Sequence, residues 1–148
     1  MLKAILKTGF IAGTLDILAA IIILAKMNVT GVLQYIASGV FGKESFSGGT
    51  TMAITGLIFH YIIAFSFTTL YFIFFPYVPF LGKQKWASGV LYGVFVWSVM
   101  NLIIVPLSST NNSPLTWSGA SLNMAILIVC IGLPISFLAS KYYSSRNS

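Results

Sequence analysis

Four long apolar runs constrain this sequence more than any other feature. They cover roughly residues 4–26, 51–75, 86–107 and 119–141. A helix needs about 20 residues to cross the hydrocarbon core of a bilayer, and each run reaches that length. Only 7% of the residues are charged, whereas soluble domains are about 25% charged. The sequence therefore predicts one all-α domain over residues 1–148, a multi-pass integral membrane four-helix bundle.

The basic residues predict how the four spans are oriented. With four crossings, both termini and the loop between the second and third spans lie on the same side. Cytoplasmic loops carry an excess of Lys and Arg. The side with the termini has most of the basic residues, and the other side has only Lys26 and Lys43. We therefore expect both termini in the cytoplasm. The basic residues on their side are Lys3, Lys7, Lys83, Lys85, Lys141 and Arg146.

The loop between the first and second spans contains a predicted short amphipathic helix over residues 29–41. Its apolar residues follow helical spacing, and its polar residues lie largely off that stripe. Such a helix lies on the outer surface of the membrane or dips into it. A plain connector and a lid over a cavity between the helices are both consistent with this pattern. The stripe consists of Val29, Val32, Leu33, Ile36 and Val40, and the residues off it are Thr30, Gln34 and Ser38.

One carboxylate, Asp16, interrupts the first apolar run. A charged residue near the bilayer centre costs about 2.5–3.5 kcal/mol, so Asp16 should face the protein interior and have a partner. At the helical rise per residue, Asp16 lies about 15 Å and His60 about 12 Å below the outer end of its span. Consecutive antiparallel helices are usually neighbours. The sequence therefore predicts that Asp16 and His60 are in contact, directly or through one water.

Two asparagines, Asn101 in the third run and Asn123 in the fourth, also lie between the midplane and the outer end. The polar set has three possible roles: hydrogen bonding between helices alone, a small cavity that binds or passes a ligand or ion, and a catalytic or cofactor site. The candidate ligand-binding or ion-binding residues are Asp16, Ser38, His60, Asn101 and Asn123.

The residue types disfavour several kinds of chemistry. One His, one Cys and two acidic residues cannot complete a closed zinc site, so no metal site is predicted. No nucleophile-elbow motif or phosphate-binding glycine loop is visible, so no catalytic residue or cofactor is assigned and enzyme activity is disfavoured. The net charge is +6, but no basic helix or arginine cluster accompanies it. Nucleic acid is therefore not an expected partner.

Two GxxxG patterns, Gly9–Gly13 and Gly89–Gly93, predict faces that another helix can approach closely. Besides the lipid bilayer, a second copy of the chain or another membrane protein is therefore a possible partner through these small-residue faces.

Several segments resemble small four-helix inner-membrane proteins of bacteria, which are an uncharacterised family. These segments are "GFIAGTLDILAA", "IASGVFG" with "SFSGGT", "GLIFHYIIAFSFT", "YGVFVWSVMNLIIVPLS" and "IGLPIS". The resemblance covers nearly the whole chain and implies the bacterial cytoplasmic membrane and the same four spans. It implies no activity. The residues standing in these segments are Asp16, Ser38, Gly39, Gly48, Gly49, His60, Asn101 and Pro106.

Three functions follow as hypotheses. A small transporter, channel or binding protein predicts a hydrated cavity open toward the outside. A structural or assembly subunit of a membrane complex predicts no cavity and a small-residue face that packs on a partner. An enzyme acting on a lipid or a lipid-soluble cofactor, the least favoured, predicts access from the bilayer to His60.

Overall fold

The structure is a computed structural model, and it describes residues 1–110 and 116–146. The described residues are helical apart from turns, and they form no strand. Four helices are long and apolar enough to cross a membrane, which confirms the all-α prediction and the four runs. The helices are α1 (Leu2–Leu24), α2 (Val29–Phe41), α3 (Gly49–Tyr77), α4 (Pro79–Lys83), α5 (Lys85–Leu107) and α6 (Trp117–Ser144).

The start of α1, the end of α6 and the connection between α3 and α5 meet at one end of the bundle, here called the basic end. Tyr143 near the end of α6 donates a hydrogen bond of 2.8 Å to the backbone carbonyl of Phe72. The ring of Tyr143 also stacks on Phe75, with 4.6 Å between the ring centroids. The opposite end, which carries α2, is called the α2 end.

Glycines allow the long helices to pack closely. Gly9 and Gly13 of α1 pack against the side chains of Phe65 and Ala64 on α3. In α5, Gly89 and Gly93 pack against the backbone of α6 around Gly132. Both predicted small-residue faces are therefore used inside the chain. The structure gives no support for a partner that binds through them.

Large apolar side chains cover the outside of the bundle. Phe10, Ile22, Leu91 and Val129 expose 59%, 57%, 59% and 60% of their surface, although they lie within the long helices. Monomeric soluble proteins rarely expose contiguous apolar patches larger than a few hundred Å². This exterior therefore suits an apolar surrounding such as a bilayer.

The short helix α2 has the predicted bounds but a different buried face. It begins where the side chain of Asn28 accepts a hydrogen bond of 2.9 Å from the backbone N–H of Gly31, as N-cap residues do. Among the predicted stripe residues, Leu33 is buried and Val32 and Ile36 pack beside it, but Val29 and Val40 are exposed. Of the polar residues expected off the stripe, Thr30 is exposed, but Gln34 and Ser38 are buried.

The helix α2 is rotated about its axis relative to the prediction because it crosses α3 at Gly56, where a Cβ would overlap the backbone carbonyl of Leu33. Backbone groups of the chain satisfy the two buried polar side chains. Gln34 donates to the carbonyl of Gly49 over 3.3 Å, and Ser38 donates to the carbonyl of Tyr35 over 2.6 Å. The hydrophobic pattern alone therefore misplaced the buried face by part of a turn.

Candidate binding cavity

A cavity of about 740 Å³ lies between the long helices at the α2 end. Residues of α1, α2, α5 and α6 form its walls, and α3 contributes His60. Exposed residues of α2 and its N-cap form the rim, so the cavity opens at this end. Its polar lining residues are Asp16, Asn28, Thr30, Gln34, Tyr35, His60, Asn101 and Asn123.

Each of α1, α5 and α6 contains one π-helical turn, at Ala20–Leu24, Met100–Ile104 and Ile128–Gly132. Such turns occur frequently at functional sites. The first two turns contribute residues to the cavity wall, and the third begins directly after the lining residue Leu127. The extra residue in each turn changes which side chains face inward. This feature has no signal in the hydrophobic pattern, and sequence reasoning missed it.

Asp16 faces the cavity and not the apolar exterior of the bundle. Its neighbours Leu15 and Leu18 are exposed on the outer surface, whereas the Asp16 side chain is partly buried and lines the cavity. Within residues 1–110 and 116–146, its carboxylate makes no hydrogen bond and no ion pair. The inward orientation therefore agrees with the cost of exposing a carboxylate to lipid.

His60 is buried, with 9% of its surface exposed, and connects α3 to α1. Its Nε2 atom lies 2.7 Å from the backbone carbonyl oxygen of Gly13. A carbonyl oxygen can only accept, so Nε2 carries a proton and donates. The other ring nitrogen, Nδ1, has no hydrogen-bond partner in the described part of the chain.

The described residues show no direct hydrogen bond between Asp16 and His60. Both residues line the same cavity, but the hydrogen bond of His60 runs to Gly13 and not to Asp16. Gly13 has no side chain, so the imidazole can reach the α1 backbone. A link between Asp16 and His60 through one water stays a prediction.

Of the other three candidate residues, Asn101 and Asn123 line the cavity and Ser38 does not. The Nδ2 atom of Asn101 donates to the carbonyl of Trp97 over 3.0 Å, which leaves its Oδ1 as an acceptor. Ser38 is fully buried outside the cavity lining, where its hydroxyl lies 3.4 Å from that of Thr110. Ser38 therefore helps to hold α2 and does not line the cavity.

A smaller apolar chamber of about 90 Å³ continues toward the basic end. Asp16 and His60 also line this chamber, so they stand where the polar cavity meets the apolar interior. The rest of its wall consists of Ile36, Ile63, Ala64, Phe67, Val96, Met100, Leu127 and Ile131. These side chains close the cavity toward the basic end.

A buried cluster of hydroxyls lies closer to the basic end. The Tyr71 hydroxyl lies 3.1 Å from the Ser88 hydroxyl and 2.9 Å from that of Ser136, to which it can donate, and the two serine hydroxyls are 2.9 Å apart. Ser136 also donates to the carbonyl of Lys85 over 2.8 Å. No sequence motif predicts this cluster, because its members lie on three different helices. The cluster joins α3, α5 and α6 beneath the chamber.

The charge of the cavity is set by few groups. Among the described residues that line it, Asp16 has the only carboxylate and none is Lys or Arg. Burial raises the pKa of Tyr35 above its ordinary value, so this rim hydroxyl stays neutral and able to donate. Among the described residues, no group of three or more His, Cys, Asp or Glu side chains could hold a metal ion.

Comparisons with protein-family models, curated proteins and solved structures found no match for this chain.

Proposed function

We propose that this chain is an integral protein of the bacterial cytoplasmic membrane and that it transports a small cationic ligand through the polar cavity. In this proposal both termini face the cytoplasm, and the α2 end faces outward. The gathering of six basic side chains on the termini side supports this orientation, because cytoplasmic loops are rich in Lys and Arg.

One observation carries the proposal: the Asp16 carboxylate lines a roomy cavity and has no ion-pair partner among the described residues. Ligand sites in proteins typically combine an apolar wall with a few convergent polar groups and have volumes of roughly 300–1,000 Å³. Buried charges in membrane proteins commonly mark the path of a substrate or ion. A cation bound at Asp16 would supply the missing counter-charge, and Asn101 and Asn123 would turn their side-chain amide oxygens toward it.

The closed basic end favours transport over simple binding. The cavity is open at the α2 end, and apolar side chains such as Phe67 and Val96 close it below His60. This asymmetry is what an outward-open transporter requires, because access alternates around a site near the middle of the membrane. When access changes from the outer to the inner side, α2, which supplies part of the cavity wall, acts as the outer lid.

The structural-subunit alternative has less support. It requires a chain without a cavity and with a free small-residue face, but the glycine faces of α1 and α5 pack within the bundle. An enzyme that uses His60 has less support as well, because the ring is buried and its Nε2 is occupied by the carbonyl of Gly13.

Removing the Asp16 charge should abolish cation binding. Purified protein is titrated with Na⁺, K⁺ and a series from methylammonium to tetraethylammonium, and its thermal unfolding is followed. At 100 times its Kd, a ligand stabilises the folded state by about 2.7 kcal/mol. We expect at least one cation to raise the Tm of the wild type, and Asp16→Asn to remove that shift.

Glu44→Gln is the matched control, because it removes the same charge from the other acidic residue, which does not line the cavity. This variant should keep the full shift. Equal shifts in wild type and Asp16→Asn, or no shift with any cation in the series, would contradict the proposal.

A further inference from the structure

We propose that a second site, a cleft at the basic end, binds the phosphate of an anionic phospholipid headgroup. The cleft has a volume of about 640 Å³ and lies between α4, the start of α5 and the last turns of α6. It is separate from the cavity around Asp16 and shares no lining residue with it. The inference rests on the proposed membrane location but not on the cavity ligand. The cleft is lined by Gly82, Lys83, Lys85, Phe137, Leu138, Ser140, Lys141 and Ser144.

Three lysines from three helices converge on the cleft without a carboxylate. Lys83 ends α4, Lys85 begins α5 and Lys141 lies in the last turns of α6. None of the described residues that line the cleft is acidic. The Nζ atom of Lys85 lies 5.2 Å from the centroid of the Phe137 ring, which orients this ammonium group at the cleft. Three neighbouring cations of this kind favour a bound anion.

A buried hydroxyl in the cleft lacks a partner. Ser140 lines the cleft and exposes only 9% of its surface, and its Oγ atom makes no hydrogen bond to the described residues. A buried polar atom without a hydrogen bond is costly, and such atoms are rare in native structures. The Oγ atom is itself shielded, so a rotation of the Ser140 side chain toward the cleft would bring the hydroxyl to a phosphate oxygen, which can accept its hydrogen bond. The unsatisfied hydroxyl thus points to an acceptor ligand, independently of the lysines.

The start of α5 adds further donors beside the same lysines. No side chain caps this helix at Gln84, so backbone N–H groups of its first turn lack a side-chain acceptor. Helix N-termini of this kind favour anions. The lysines, the hydroxyl and the helix terminus all select the same chemistry, a phosphate or a similar oxyanion.

The surroundings of the cleft favour a lipid over a free phosphate ion. Phe137 and Leu138 form its apolar wall. The exposed ring of Trp86 packs on Phe137, with 4.7 Å between the centroids. Tryptophan is enriched where a membrane meets water. A headgroup at the lysines would therefore have its acyl chains along the apolar exterior of α5 and α6, as in basic clefts that bind anionic lipids.

Native mass spectrometry of the full chain in detergent can test this site, with phosphatidylglycerol as the probe and phosphatidylcholine for comparison. We expect the wild type to retain phosphatidylglycerol selectively. Lys83→Gln/Lys141→Gln should weaken its binding roughly 30-fold, from the effect of two basic residues near an anionic lipid. Ser140→Ala should weaken it about 5-fold, the effect of about one hydrogen bond.

Lys3→Gln/Lys7→Gln is the matched control, because it removes the same net charge from the basic end outside the cleft. Binding in this variant should change less than 3-fold. An equal loss in both double variants would overturn the site, since general surface charge would then explain retention. Competition by millimolar inorganic phosphate would overturn the lipid assignment in favour of a free anion. No substituted residue lines the cavity at Asp16, so failure of the cation test would leave these results unaffected.

Discussion

Gly132→Ala is expected to destabilise the bundle by about 3 kcal/mol, the upper part of the usual range for overpacking. A Cβ at this position would overlap the carbonyl oxygen of Gly89 and lie 2.7 Å from the backbone nitrogen of Gly93. These neighbours are backbone atoms, so they can move only if α5 and α6 separate. Unfolding of the purified protein in mixed micelles, followed by circular dichroism, gives the change in the free energy of unfolding.

Gly82→Ala in α4 is the control for this substitution. A Cβ at Gly82 would make ordinary contacts of 3.5 Å and 3.7 Å with the ring of Phe75. Replacing Gly by Ala in a helix otherwise stabilises it by about 0.5–1 kcal/mol, so the control should not lose stability. Equal stability of the two variants would mean that α5 and α6 are not packed as described.

His60→Ala is expected to lower the free energy of unfolding by about 2 kcal/mol. About half of this loss comes from the hydrogen bond to the carbonyl of Gly13 and the rest from the packing of the buried ring. His60→Gln is the matched variant, because its Nε2 amide can donate to the same carbonyl. The same unfolding measurement should give His60→Gln a loss below about 1 kcal/mol. A loss as large as that of His60→Ala would show that this bond contributes little.

Much of the architecture could be predicted because it depends on composition and on local signals. The four long helices follow from the length and hydropathy of their runs. The bounds of α2 follow from the helical pattern and from Asn28, whose side chain caps its first turn. The inward side of α1 follows from Asp16, because a carboxylate in an apolar environment needs protein or water around it.

Other features depend on contacts that no local pattern records. The hydrogen bond of His60 Nε2 runs to the backbone carbonyl of Gly13, and backbone groups carry no sequence signal, so the depth argument could not identify this partner. The burial of Gln34 and Ser38 depends on where α2 crosses α3. The hydroxyl cluster at Tyr71 joins residues from three helices, so it becomes visible only once their rotations are known.

The shape of the cavity is another feature that no local sequence pattern records. It depends on where the π-helical turns of α1, α5 and α6 fall, and each turn shifts the following side chains around the helix axis. Four of the five candidate residues, all except Ser38, line the cavity. A regular helical period does not predict the residues at its rim, to which α2 contributes Thr30 and Tyr35.

Thiol labelling of Asn123→Cys in intact bacterial cells tests the central claim, a polar cavity open to the outside. The background is Cys130→Ala, which removes the only native thiol, and the reagent is a small impermeant methanethiosulfonate with a positive charge. We predict rapid labelling at position 123. Lys83→Cys at the basic end should stay unlabelled until the membrane is permeabilised, and Val96→Cys in the closed apolar chamber should stay unlabelled throughout. An unreactive thiol at position 123 beside a reactive one at position 83 would contradict both the cavity and the orientation.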